Sequence, residues 1–258
     1  MANPVGVLGG MGPLATFDFC LKVVAETAAE TDQENLPLLV YSVPQIPDRI
    51  AGMLGTGPSP LPALREGMQT LLAADVGCLA MPCNTAHHWY DALAAEAPVP
   101  FLHIADAACT AASKRARPGD AVGLIATSGT IRAGFYPMRL ERAGFTCLTL
   151  EEEETRMLVG EGIRLVKRGE VPTGGALFAE AVRRLMDRGA ACVILGCTEV
   201  PVGIDAAAPQ LSANCVDATR ALARACVDWY RRQEARSAPG ADGASTGPDL
   251  DRSVPAAV

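Results

Sequence analysis

CLAMPCNT at residues 78–85 and CVILGCTE at residues 192–199 share one layout: a short apolar run, a cysteine behind it, and two polar residues after the cysteine. A second pair of stretches, VGVLGG at 5–10 and VGLIAT at 122–127, lies at nearly the same offset, 117 residues against 114. Two concordant offsets read as an internal duplication, which makes Cys83 and Cys197 equivalent positions about a pseudo-twofold axis. One buried strand resembles any other, so chance likeness between apolar runs is the competing explanation.

Outward from these stretches, apolar runs of strand length recur at 5–9, 37–43, 76–82 and 100–104, and again at 121–127, 145–150 and 190–196. The segments between them carry helical spacing, as LFAEAVRRLMDRG does at 177–189. Such alternation defines an α/β fold with mostly parallel sheets, because strands buried on both faces read as continuous apolar runs. Two similar α/β domains with pseudo-twofold symmetry are expected, with the active-site cleft between them. Residues 1–112 and 212–236 make up the first, and 113–211 the second. Segment 216–236 is expected to be a single returning helix with Ala218, Leu222, Ala225 and Trp229 on its packed stripe. The tail, 237–258, is rich in Gly, Pro, Ser and Ala and is expected to be disordered.

The 258 residues carry a net charge of −7 and no basic run, which leaves no footprint for nucleic acid. MANPVGVLGGMGP lacks the regions of a secretory signal, and no apolar stretch reaches membrane-spanning length. A soluble, cytoplasmic protein with no membrane partner is expected. Nine cysteines is an odd count, scattered through a chain large enough to fold without staples, so reduced thiols are expected.

Seven of those cysteines read as ordinary buried residues. Cys83 and Cys197 differ, since each follows a strand, where open α/β sheets bind ligands, and each precedes a polar pair. Inverting a stereocentre without a cofactor needs one base to remove a proton and one acid to supply another from the opposite face. A thiol serves in both roles, because its pKa lies near 8.5 and falls beside cations, helix N-termini or hydrogen-bond donors. A metal site is not expected: C-x-x-C is absent, and the five-residue spacings Cys78/Cys83 and Cys192/Cys197 put the side chains of each pair on opposite strand faces. His87 and His88 are expected on a helix surface or at a cap, and His103 in a strand. Gly10, Gly12 and Ala15 formally match a dinucleotide fingerprint, but the second strand ends in Ser42, Val43 and Pro44 where an acidic residue would hold a ribose. A loop for a small anion fits better. Arg49, in the Pro-rich loop PQIPDR, is a candidate carboxylate partner; Lys167 closes an apolar helix, where a solvated cation is common.

GGMGP at 9–13, PQIPDR at 44–49, MPCNTAH at 81–87, AT-x-GT at 126–130 and GCTEV at 196–200 occur in the order found in the aspartate/glutamate racemase superfamily, and the chain resembles its aspartate racemase branch over residues 4–230. The resemblance implies two facing α/β domains, catalysis by Cys83 and Cys197, no cofactor, a small acidic amino-acid substrate, and commonly a homodimer. It assigns Asn84, Thr85, Thr127 and Thr198 to the α-carboxylate and amino group, and Arg49 and Lys167 to the acidic substrate. Met11, Gln45, Thr130 and Glu199, from the same motifs, complete the expected substrate-binding set. GGMGP and GCTE depart from the Asp-Ser-Gly loop and GCTH of glutamate racemases, which favours the aspartate branch. A weakly catalytic amino-acid sensor and a sister isomerase acting on another carboxylic acid are the alternatives.

Overall fold

The computed structural model describes residues 2–237. The first half runs β1 (Val5–Gly9), α1 (Pro13–Thr27), β2 (Leu38–Ser42), α2 (Arg49–Leu54), α3 (Leu61–Ala73), β3 (Cys78–Ala80), α4 (Tyr90–Ala94), β4 (Phe101–Leu102) and α5 (Ile104–Ala112). The second runs β5 (Ala121–Ala126), α6 (Ser128–Ala133), α7 (Phe135–Arg142), β6 (Thr146–Thr149), α8 (Glu152–Glu154), α9 (Glu161–Lys167), α10 (Val171–Asp187), β7 (Ala190–Gly196), α11 (Glu199–Ala207), β8 (Cys215–Asp217) and α12 (Ala218–Ser237). Each half holds a four-stranded, wholly parallel sheet, ordered β2-β1-β3-β4 in one and β6-β5-β7-β8 in the other. The shared strand order is the structural counterpart of the sequence repeat.

Strand alternation divides the side chains between an outer and an inner layer. Leu8, Leu79 and Met81 pack outward with Leu64, Met68 and Leu71 of α3. Ile125, Val193 and Leu195 do the same with Phe178, Val182 and Leu185 of α10. Val5, Val7 and Ala80 of the first sheet, and Val122, Leu124 and Ile194 of the second, face one continuous inner core. Each fully buried Leu, Val or Phe contributes roughly 1.5–3 kcal/mol.

The closing helices cross between halves. α12 leaves β8 of the second sheet and packs along α1 of the first, whereas α5 leaves β4 of the first and packs against α7 of the second. Buried charge reinforces the first contact: Lys22 of α1 lies 2.6 Å from Asp18 and 2.8 Å from Asp217, and Glu26 receives Arg220 at 3.0 Å and Arg224 at 2.7 Å. Two glycines permit close backbone approaches. Gly10 follows β1 with φ +98°, and a Cβ there would meet the backbone of Val43 at 2.3 Å. Gly175 of α10 lets α11 approach so closely that a Cβ would lie 2.1 Å from the Gly203 carbonyl oxygen.

Several expectations need correction. The helix expected over 216–236 begins only at Ala218, and residues 215–217 form β8, the edge strand of the second sheet beside β7. Val216 belongs to the inner core, and the Asp217 carboxylate caps the helix by accepting from the N–H groups of Thr219 at 2.8 Å and Arg220 at 3.1 Å. Ala218, Leu222 and Trp229 are buried as expected, Ala225 only partly, and Cys226, Val227 and Tyr230 widen the stripe. His103 is not in a strand: β4 ends at Leu102, and His103 Nδ1 caps α5 by accepting from the Ala105 N–H at 3.0 Å. The tail 238–258 lies outside the described residues.

Candidate active site

Both cysteines lie just beyond the carboxyl end of a central strand, Cys83 after β3 and Cys197 after β7. The chain turns sharply at Cys83, whose N–H donates to the Met81 carbonyl at 2.8 Å, and enters a 3-10 turn over Thr85–Trp89. Behind Cys197 the chain enters α11 at Glu199. The two thiols line the same cleft between the halves, about 570 Å³ in volume, and are nearly closed off at 6% and 8% exposure.

Around them stand the donors and charges. Asp48 caps α2 by accepting from the Ala51 N–H at 2.8 Å, which starts that helix at Arg49. Arg49 lines the cleft while its Nη1 donates to the carbonyls of Ile46 at 3.1 Å and Pro47 at 3.0 Å, so its head is tethered on one side. Lys167 ends α9 and reaches within 3.6 Å of Glu199. Asn84 is buried; its Oδ1 accepts from the Tyr136 hydroxyl at 2.6 Å, and its Nδ2 has no partner. A buried unpaired donor on a cleft wall is costly unless an acceptor enters the cleft. Thr85 Oγ1 meets Thr127 Oγ1 at 3.0 Å and Thr130 Oγ1 at 3.1 Å, so hydroxyls from both halves form one triangle at the cleft floor.

The two thiols differ in their electrostatics. Burial pushes Cys83 up, while Arg49, the Ala86 N–H and Lys167 pull it back. Cys197 is driven further above the usual thiol range, first by burial and then by the charge of Glu199 and the hydrogen bond to it. Its Sγ–H donates to Glu199 Oε2 at 3.1 Å, an oxygen that also accepts from Thr198 Oγ1 at 3.1 Å.

Of the expected site residues, Met11, Arg49, Asn84, Thr85, Thr127, Lys167, Thr198 and Glu199 line the cleft with the two cysteines. Thr130 lies fully buried behind Thr85 and Thr127 and does not line it. Gln45 is exposed and away from the cleft. Glu199 faces the cleft but is engaged by Cys197, Thr198 and Lys167. His88 is exposed, whereas His87 is buried and not on a helix surface. Its Nε2 accepts from the Ile104 N–H at 3.1 Å, which fixes Nδ1–H as the donor to the Cys83 carbonyl at 2.9 Å. Sequence reasoning missed Ser128, Arg132, Thr155, Arg156 and Ile163, all of which line the cleft. Ile163 precedes Lys167 by four residues, a helical spacing that extends the face carrying Lys167. Arg132 and Arg156 are drawn toward Glu152 and Glu153.

Among the described residues, no group of three His, Cys, Asp or Glu side chains is arranged to hold a metal ion, and no helix is long and apolar enough to cross a membrane.

Paired parallel sheets of identical order, with a cysteine at each equivalent strand end facing one cleft, define a racemase-type α/β protein. Residues 8–226 match the Asp/Glu/hydantoin racemase family, and the chain belongs to it. It is similar to the aspartate racemase of Picrophilus torridus, with 26% identity, 88% of this chain and 94% of that one covered, and a TM-score of 0.77. The broad specificity amino-acid racemase RacX of Bacillus subtilis (strain 168) is 24% identical over 230 residues, covering 88% of this chain and 97% of RacX. The glutamate racemase of Francisella tularensis, solved in complex with D-glutamate, shares the fold at 15% identity and a TM-score of 0.65, with 90% of this chain and 82% of that one covered.

Proposed function

We propose that this racemase interconverts L- and D-aspartate without a cofactor, passing the α-proton between Cys83 and Cys197. The observation that carries the reading is that two thiols on equivalent strand ends line one cleft whose cations include Arg49 and Lys167. In the reaction one thiolate takes the α-proton and becomes a thiol, while the other thiol delivers its proton to the opposite face and becomes a thiolate. The protein thus ends the turnover with the proton on the other cysteine. The hard step is the carbanion, whose charge spreads into the α-carboxylate. Asn84 Nδ2, unpaired and buried, is suited to donate there, with the Thr85 hydroxyl beside it on the same wall. Arg49 and Lys167 match the second carboxylate of the substrate. The Picrophilus relative is an aspartate racemase, which supports this choice of substrate.

A broader amino-acid range is the second reading, favoured by the apolar wall of Ile50, Ile131, Leu150 and Ile163 beside the cations and by the likeness to RacX.

Incubation with L-aspartate in heavy water is expected to exchange the α-hydrogen and to form D-aspartate. Cys83→Ser and Cys197→Ser are each expected to lose about 10²–10⁴-fold in racemisation rate, the range of a positioned acid or base. Full activity in either variant would exclude the two-base reaction. Faster exchange with apolar amino acids than with aspartate would favour the broader range.

A further inference from the structure

Asn84 opens the 3-10 turn behind Cys83, a place where an asparagine ordinarily caps with its own side chain, yet it makes no such bond. Its side chain is turned to the second half instead, where Oδ1 accepts from the Tyr136 hydroxyl of α7 at 2.6 Å. Both partners are closed off from solvent, Asn84 at 3% and Tyr136 at 0% exposure. Burial holds the Tyr136 hydroxyl well above the ordinary phenol pKa, so it keeps its proton.

A phenol has one proton to give, and that decides which way the amide stands. With Oδ1 toward Tyr136 both oxygens are satisfied, and only Nδ2 is left without a partner. In the reverse orientation Nδ2 would donate to the phenol, and both the phenolic proton and Oδ1 would be left over. A buried polar group without a partner is costly, so the first arrangement is favoured by one such group. It presents a donor rather than an acceptor to whatever enters the cleft that Asn84 lines. The duplication supplies a control. Carried along the chain, the offset of 117 residues between the paired stretches at 5 and 122 brings Tyr136 onto Phe19 of α1, while Asn84 corresponds to Thr198. Phe19 and Tyr136 are both fully buried in the inner core. The fold therefore asks for an aromatic ring at this position, and the hydroxyl is present only in the half that faces an amide able to stand two ways.

We infer that Tyr136 is a positioning residue for the reaction: reaching across from the second half, its hydroxyl locks the Asn84 amide with Nδ2 as the donor to the substrate's α-carboxylate. The role of the carboxylate rests on the proposed function; the direction of the amide rests on the hydrogen bond alone. Without the hydroxyl the amide is free to turn its oxygen on the carboxylate, which repels the charge that the reaction builds there.

A double-mutant cycle on the full-length chain, run with the amino acid that wild type exchanges fastest, tests the inference. Asn84→Ala is expected to lose about 10²-fold in kcat, the range for one donor to a developing charge. Tyr136→Phe deletes only the hydroxyl and is expected to lose about tenfold, more in kcat than in KM, the equivalent of one hydrogen bond. The double variant is expected to match Asn84→Ala within about twofold, because Tyr136 acts through the amide. Losses that multiply across the two sites, or a Tyr136→Phe protein as fast as wild type, would each overturn the role. If Asn84→Ala fails to fold, Asn84→Leu fills the same space without a donor and takes its place. A second readout needs no turnover. With isotope-labelled asparagine, the other side-chain amides in the nuclear magnetic resonance spectrum are those of Asn3, Asn35 and Asn214. The Asn84 amide is expected to be rigid and slow to exchange hydrogen in wild type and to lose both properties in Tyr136→Phe; an amide that does not change would rule out the tether. A wild type that exchanges no amino acid would overturn the proposed function, and the amide spectrum would still decide the tether.

Discussion

At the scale of single residues, the two halves have diverged where the chemistry is finest. Cys197 donates its proton to the Glu199 carboxylate, whose charge raises both thiols; Lys167 lowers both, and Arg49 lowers Cys83. Both thiols are raised above the ordinary range by burial, Cys197 the further, so Cys83 is the more readily ionised of the two. Glu199→Gln is expected to lower the pKa of Cys197, so that its pH-dependent alkylation shifts to lower pH while that of Cys83 moves less. Equal movement of both thiols would remove Glu199 from this role. With aspartate as the proposed substrate, the two enantiomers have equal free energies, so kcat/KM must stay equal in the two directions. The altered bias is therefore expected in kcat and KM separately, changing together. The sequence exposed the two cysteines because each repeats with its strand and polar followers, but it could not show the direction of a side chain. PQIPDR illustrates this: Arg49 reaches the cleft and Gln45, four residues earlier, points to solvent.

Among elements, long strands such as β1 and β7 were legible to the residue because unbroken apolar runs fix their ends. β8 was not, since three residues give no period, and Asp217 was the only available sign that a helix starts after it. The histidines escaped for a related reason, as their burial depends on where α5 begins. Burial holds His87 down to about 4 and His103 to about 2, against about 6.5 when unfolded. Both are neutral acceptors of α5 N–H groups in the folded state. A depressed histidine pKa contributes stability above the unfolded value, and that stability is lost as pH falls. Each histidine is therefore expected to cost up to about 1.4 kcal/mol per pH unit, from pH 6.5 down to about 4 for His87 and further for His103. His103→Asn keeps an oxygen at the cap and removes one titration. Denaturant melts of this variant are expected to show about half the wild-type loss between pH 6.5 and 4; an unchanged slope would place the acid sensitivity elsewhere.

For the whole molecule, the inner core spans both sheets and the closing helices are exchanged, so the halves are expected to unfold together. Trp89 and Trp229 report on the first half and on α12, whereas far-UV circular dichroism reports on both halves. One midpoint by both probes is expected, and separated transitions would mean that the halves are independent. The exchange of α5 and α12 also speaks to ancestry. A single half that lent its last helix to an identical neighbour would have enclosed this same cleft, with two identical cysteines facing each other by symmetry. Joining two such copies end to end would release them from that symmetry. One lineage could then acquire an acid beside its thiol at position 199 and the other a cation at position 49, a division of labour that no pair of identical chains can evolve.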